Sequence, residues 1–342
     1  MWKAPEPFNW FQSELIVIHS LSILGPVMLI GSSIASPAQQ SGLEVNGLRI
    51  VGEPVRIRHE SKIVKEPTET APALQEDLLT FGNGRADMRV TYKRYRNGTP
   101  EFLGNHPSLT DSSMGVDIGV SPEPWHWHYA DTTRIFINDR DIFAGFEAAE
   151  MDWREGLDFG RVRFRWEGPE AGVTLHVAIP GDRLKAYVEY VVEPRVPMES
   201  MMVRLRCFPG AYTSGRYRQP AHRWVSTPGQ SVEVRRGKPG KTLAFMQQDG
   251  WIFYADRHHD YRYGRGFGPA GLALGAGDDE MRGEVKVTDY GLDTNLHCGP
   301  DQSRIRFVLY AFTFIPNHHA LQTLKNEYQT DQETLATLPF WP

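Results

Sequence analysis

Beyond residue 86, apolar side chains recur at every second position in one short segment after another, the period expected of strands that bury one face. The pattern runs through "DMRVTYKRYR", "RIFIND", "RVRFRWEG", "GVTLHVAIP", "LKAYVEYVVEP", "MMVRLRCF", "SVEVRR", "TLAFMQ", "WIFYAD", "GEVKVTDYG" and "RIRFVLYAFTFI". Gly, Pro and Asp punctuate the gaps. Short strands with turn signals between them, and no amphipathic helix in between, exclude a parallel α/β sheet. They predict an all-β fold: a large antiparallel β-sandwich of many-stranded supersandwich or jelly-roll type. "RIRFVLYAFTFI" is apolar on both alternations from Phe307 onward, so it belongs at the centre of a sheet covered on both faces. The period then changes. In "NHHALQTLKNEYQTDQETLATL", Asn317 is placed to cap a helix, and Leu321, Leu324 and Tyr328 share one stripe, predicting a C-terminal helix against the sandwich.

The same patterning divides the chain. Leu15 to Ala35 reads "LIVIHSLSILGPVMLIGSSIA", an apolar run followed by the small residues Ser36 and Ala38. Residues 1–38 are therefore expected to be a signal peptide cleaved after Ala38 or, if uncleaved, an N-terminal anchor, the one source of membrane contact. Either outcome sends the rest to a secreted, periplasmic or other extracytoplasmic location. Residues 39–80 are expected to form an extended segment and linker, interrupted by the connector "KEPTETAPA", and residues 81–342 the sandwich with its helix.

Charge and cysteine content narrow the function classes. A formal net charge of −5 over 342 residues argues against a surface dominated by attraction to nucleic acid or anionic lipid. The two cysteines, Cys207 and Cys298, form no C-x-x-C pair, so thiolate zinc and dithiol redox chemistry have no support. Alternation points both sulfurs inward. They form either one long-range disulfide or two separate buried thiols.

Sorting strands by face brings out a feature that composition hides. In "RVRFRW" the inward set is Val162, Phe164 and Trp166, leaving Arg161, Arg163 and Arg165 outside. If consecutive strands pair as a meander, His176, Lys185, Tyr187, Glu189, Arg204 and Arg206 continue that face. Guanidinium forks fit carboxylate or sulfate groups of an anionic polysaccharide, although long basic side chains also coat ordinary solvated sheet faces.

The densest candidate chemistry is "WHWHY". Alternation in an extended backbone puts Trp125, Trp127 and Tyr129 on one side and His126 and His128 on the other. Two imidazoles at that spacing can chelate a divalent metal, with Asp131 as a third ligand, or one can act as general acid or base. The competing reading is core packing by the tryptophans. No further cofactor is implied.

Two Gly/Pro-bounded segments share this composition. "AYTSGRYRQPAHRWVSTPG" carries Arg216, Tyr217, His222, Arg223 and Trp224, and "YADRHHDYRYGRGFG" carries His258, His259, Asp260 and Tyr261. Rings that stack on pyranose faces beside groups that bond hydroxyls suit sugar recognition. No G-x-S-x-G elbow exists, whereas Glu147, Glu150, Asp152, Glu155 and Asp158 crowd one segment as glycosidase carboxylates would.

The expectation is a secreted carbohydrate-active protein acting on an anionic polysaccharide by β-elimination. His126, His128, His222 and Tyr261 are the acid or base candidates, and Arg216 and Arg223 neutralise the uronate. Trp125, Trp127, Arg161, Arg163, Tyr187, Tyr217, Trp224, His258, His259 and Asp260 are the binding candidates. The alternatives are hydrolysis of a neutral glycan, a non-catalytic carbohydrate-binding or envelope protein, and a metal-dependent oxidoreductase.

Overall fold

The computed structural model describes residues 42–45, 48–51, 54–65, 73–82, 88–95, 115–120, 127–142, 149–209, 222–259, 268–275, 281–289, 291–312 and 315–342. All belong to one compact unit, Ser41–Pro342. In chain order the strands are β1 (Gly42–Val45), β2 (Leu48–Val51), β3 (Ile57–Lys65), β4 (Leu74–Phe81), β5 (Met88–Tyr95), β6 (Gly115–Val120) and β7 (Trp127–Ile137). There follow β8 (Arg140–Asp141), β9 (Glu150–Arg154), β10 (Phe159–Glu167), β11 (Ala171–Pro180), β12 (Lys185–Pro194), β13 (Met201–Cys207) and β14 (His222–Ser226). The last are β15 (Ser231–Arg235), β16 (Lys241–Met246), β17 (Trp251–Asp256), β18 (Ala270–Leu274), β19 (Arg282–Val287), β20 (Leu292–Cys298) and β21 (Arg304–Ala311), before helix α1 (Asn317–Thr337).

β1 and β2 form a hairpin of their own, and the others make two large antiparallel sheets. The nine-stranded sheet runs β15-β14-β17-β18-β21-β12-β11-β10-β9, and the ten-stranded sheet runs β16-β19-β20-β13-β7-β6-β5-β4-β3, with β8 paired to β7. Val90, Tyr92, Val116 and Ile118 from one sheet share a single buried core with Phe164, Trp166, Leu175, Val188 and Phe307 from the other. This is the all-β sandwich with a C-terminal helix that the alternation predicts. Each such side chain contributes about 1.5–3 kcal/mol on leaving water.

β21 sits mid-sheet between β18 and β12 and is buried on both sides, as its unbroken apolar run requires. Ile305, Phe307 and Leu309 face the inter-sheet core. Val308, Tyr310 and Phe312 join a second cluster with Ala320, Leu324 and Leu335 of α1. Asn317 does not cap that helix: the N-cap position is Pro316, and the Asn317 side chain instead donates to the Asp256 carbonyl at 2.8 Å. No helix among the described residues is long and apolar enough to cross a membrane.

Two further sequence expectations are corrected, and one left open is decided. The connector "KEPTETAPA" is no boundary, because β3 and β4 on either side pair along their length, from Lys65↔Leu74 to Ile57↔Phe81. β4 itself runs across the expected division at residue 80. The meander stops after β12: β13 enters the other sheet, between β20 and β7, taking Arg204 and Arg206 away from the face of Arg161 and Arg163. Cys207 and Cys298 are both buried and neither is in a disulfide, the second of the two arrangements expected. Cys298 pairs with Met201 and Cys207 with Leu292, so they sit at opposite ends of adjacent strands, about 20 Å apart at ~3.3 Å per residue. No disulfide spans that.

Candidate active site

At one end of the nine-stranded sheet, β14 and β15 form a hairpin around Thr227-Pro228-Gly229-Gln230, whose register sets Trp224 opposite Glu233 and His222 opposite Arg235. Alternation then sorts the side chains. Val225 and Tyr254 belong to the inter-sheet core, whereas Trp224, Phe253 and Ala255 belong to the outer cluster. His222 and Glu233 follow Trp224 by register, and Arg257, just past the end of β17, is brought to them, so polar groups from two strands and the following turn meet on the outer face.

His222 Nε2 lies 2.8 Å from Glu233 Oε2. Arg257 donates to the other oxygen, Oε1, from Nε at 2.8 Å and from Nη2 at 2.5 Å. Partial burial pushes the Glu233 carboxyl up, but the hydrogen bonds from Arg257 and His222 outweigh it and hold the group below the usual glutamate range. An ionised carboxylate only accepts, so His222 must donate from Nε2. In the neutral ring this leaves the lone pair on Nδ1, the tautomer a general base needs. The His258 ring meets His222 edge-on, with centroids 5.5 Å apart.

Beneath these groups lies a rigid frame. The Arg257 guanidinium stacks on Trp224, its carbon 3.6 Å from the ring centre. Trp224 packs edge-on against Phe253 and donates Nε1–H to Ser231 at 2.8 Å. Asp256, buried at the core rim, accepts the His222 and His258 amides at 3.1 and 2.8 Å and pairs with Arg223. One buried carboxylate thereby fixes the backbone on both sides of the imidazole pair.

Only part of the expected set is brought together. His222, Trp224 and His258 fall here, with His259 next in the chain, its amide donating to the Asp256 carbonyl at 3.1 Å. Arg223 is placed where it serves the frame: its guanidinium is buried against Asp256 and the Pro209 carbonyl, which leaves it no exposed fork for a uronate. Trp125, His126, Arg216, Tyr217, Asp260 and Tyr261 lie outside the described residues. Of Trp127 and His128 the structure gives register alone. Tyr129 pairs with Ile118 and Trp127 with Gly119, so a register shift falls at His128 and breaks the strict alternation assumed for "WHWHY".

The arginine face is partly covered, with Arg165 still exposed. Arg154 and Arg163 lie over the Trp341 ring at 4.5 and 4.4 Å, and Arg161 donates to the Pro339 carbonyl at 3.2 Å. Tyr187 is buried under α1, its hydroxyl donating to Asp331 at 2.6 Å. Among the grouped acids, Asp152 is bound by Arg163 at 2.5 Å and Glu155 accepts the Ile57 amide at 2.9 Å. Among the described residues no cluster of three His, Cys, Asp or Glu side chains is arranged to hold a metal.

Sequence reading missed Glu233 and gave Arg257 no role. The signal was present: the Pro228-Gly229 turn fixes the hairpin, and counting back from it sets "SVEVR" against "HRWVS" with Glu233 opposite Trp224.

No protein-family model and no curated protein matches the chain. Among solved structures it is similar to an α-N-acetylgalactosaminidase from Bifidobacterium bifidum, at 11% identity and TM-score 0.43, over 74% of this chain and 39% of that one. A chondroitinase AC lyase gives 11% identity and TM-score 0.41, over 72% and 37%. An α-galactosidase from Geobacillus stearothermophilus gives 10% and 0.34, over 75% and 40%. The structural neighbours thus include glycoside hydrolases and a polysaccharide lyase, and the chain spans about two fifths of their length. At these identities and scores the likeness assigns no activity to this chain.

Proposed function

We propose that the protein is a carbohydrate-active enzyme that cleaves an anionic polysaccharide by β-elimination, with His222 as the base. The observation that carries this reading is the His222–Glu233 pair, 2.8 Å apart, with Arg257 closing the other carboxylate oxygen. Glu233 selects the tautomer and stabilises the imidazolium that forms when Nδ1 accepts a proton. The step balances within the substrate. His222 takes the proton from the carbon beside the uronate carboxyl, the released pair forms the carbon–carbon double bond, and the bond to the glycosidic oxygen breaks.

That oxygen then needs a proton, and the uronate needs a cation to lower the cost of the carbanion. Tyr261 and Arg216 are proposed for these roles because in the chain their segments, 260–267 and 210–221, come four residues after β17 and immediately before β14. Arg257, held by Glu233, stays with the base. Action outside the cytoplasm is proposed from the apolar run of residues 15–35.

The test is turnover on arrayed polysaccharides, reading ultraviolet absorbance of unsaturated ends and reducing ends together. His222→Ala is expected to lose about 10²–10⁴-fold in rate with its circular dichroism unchanged. Reducing ends without absorbance would replace elimination by hydrolysis. Glycan binding with neither signal would make the site a recognition surface.

A further inference from the structure

The two sheets also meet at the opposite side of the sandwich, where edge strands β9 and β3 lie across from each other. They are pinned at one point, where the Val55 amide donates to the Gly156 carbonyl at 2.8 Å and the Ile57 amide to Glu155 at 2.9 Å. Beyond it stand inward-pointing residues that an edge leaves partly uncovered. Trp153 pairs with the core residue Val162, so it faces inward from β9, yet it is 39% exposed. His59, Ser61 and Ile63 answer from β3, opposite Leu79, Asp77 and Gln75 of β4.

These residues form an ordered polar group. Asp77 is 2% exposed and takes three partners: His59 Nε2 at 3.2 Å, the Gln75 amide at 3.2 Å and Arg94 Nη2 at 3.2 Å. Gln75 also donates to Ser61 Oγ at 2.9 Å. The His59 ring backs Trp153, with centroids 4.6 Å apart and planes tilted by 46°. A buried carboxylate that fixes an imidazole, an amide and a guanidinium holds their remaining donors and acceptors in place at the surface. Beside them is a tryptophan that packs against the His59 ring and keeps 39% of its surface exposed.

We propose that this edge is a second saccharide-binding site, in which a pyranose lays its C–H face on Trp153 and its hydroxyls bond to His59, Ser61 and Gln75. A flat ring with polar groups at its rim is the chemistry that recognises a sugar. The ligand class rests on the carbohydrate reading above, whereas the location rests on these residues alone. The site lies at the β9–β3 edge and shares no residue with the His222 site at the β15 end of its sheet. It serves to hold a polymer, so its loss should raise KM on long chains and leave kcat on short ones.

The experiment is titration of the full chain with a saccharide taken from the array, by calorimetry and tryptophan fluorescence. It is run on the wild type, Trp153→Ala, His59→Gln and His222→Ala. Trp153→Ala is expected to bind about tenfold more weakly, or ~1.4 kcal/mol, and to lose the fluorescence change. His59→Gln, which keeps a donor toward Asp77, should bind with intermediate affinity. His222→Ala should still bind at the edge. Unchanged affinity in Trp153→Ala, with turnover intact, overturns this site and leaves the enzyme reading standing. Trp153-dependent binding without any product supports this site and removes elimination. A wild type that binds no saccharide overturns both.

Discussion

Tyr92 illustrates how far one buried group can be read. Its hydroxyl lies in the inter-sheet core and accepts the Ala149 amide at 2.6 Å, while its ring meets Phe164 and Trp166. Burial, offset only in part by that amide, pushes its pKa up to about 12. The native state therefore keeps a proton that the unfolded chain gives up near pH 10. The stability this contributes is complete below pH 10 and is lost as pH rises toward 12. Tyr92→Phe should flatten that alkaline decline in a pH series of denaturant melts. It should also cost about 1–3 kcal/mol at neutral pH by orphaning the Ala149 amide. His222 and Glu233 differ in legibility: the histidine stands out in any reading of "AHRWV", while its carboxylate is eleven residues away and becomes a partner only through hairpin register.

Helix α1 is held to the nine-stranded sheet by a polar clasp as well as by its apolar stripe. Asp331 is buried on the helix and accepts Lys185 Nζ at 2.7 Å, the Tyr187 hydroxyl at 2.6 Å and the Tyr310 hydroxyl at 2.5 Å. Burial, together with the adjacent carboxylate, pushes both phenols well above the usual tyrosine range, so they act as fixed donors. Removing the carboxylate would leave the Lys185 charge buried with only the 3.4 Å contact to Glu327. Asp331→Ala should therefore lose about 3–5 kcal/mol in urea melts. Asp152→Ala breaks a pair that is 53% exposed at the acid and should change stability by less than about 1 kcal/mol. The helix was legible from its stripe, but Asp331 falls on that stripe as a misfit, and only its partners on β12 and β21 explain it.

For the molecule as a whole, the division of strands between sheets decides which surfaces exist. Burial pushes the Cys207 thiol up and Cys298 is buried six positions along the neighbouring strand, so neither is poised to react. A thiol reagent should label both only after denaturation, and reductant should leave the melting temperature unchanged. Period-two alternation by itself determined most of the strands beyond residue 86, their inward faces and the central place of β21, and the helical stripe of Leu321, Leu324 and Tyr328 determined the C-terminal helix. These follow from local geometry, because a strand that buries one face must alternate and one that buries both cannot. Register from the Pro228-Gly229 turn was within reach for the same reason. The crossing of the chain from β12 to β13, the covering of Arg161 and Arg163 by residues 339–341, and the meeting of His59 with Trp153 were decided by tertiary structure. Each joins side chains far apart in sequence, and alternation says which way a residue points but not what it finds there.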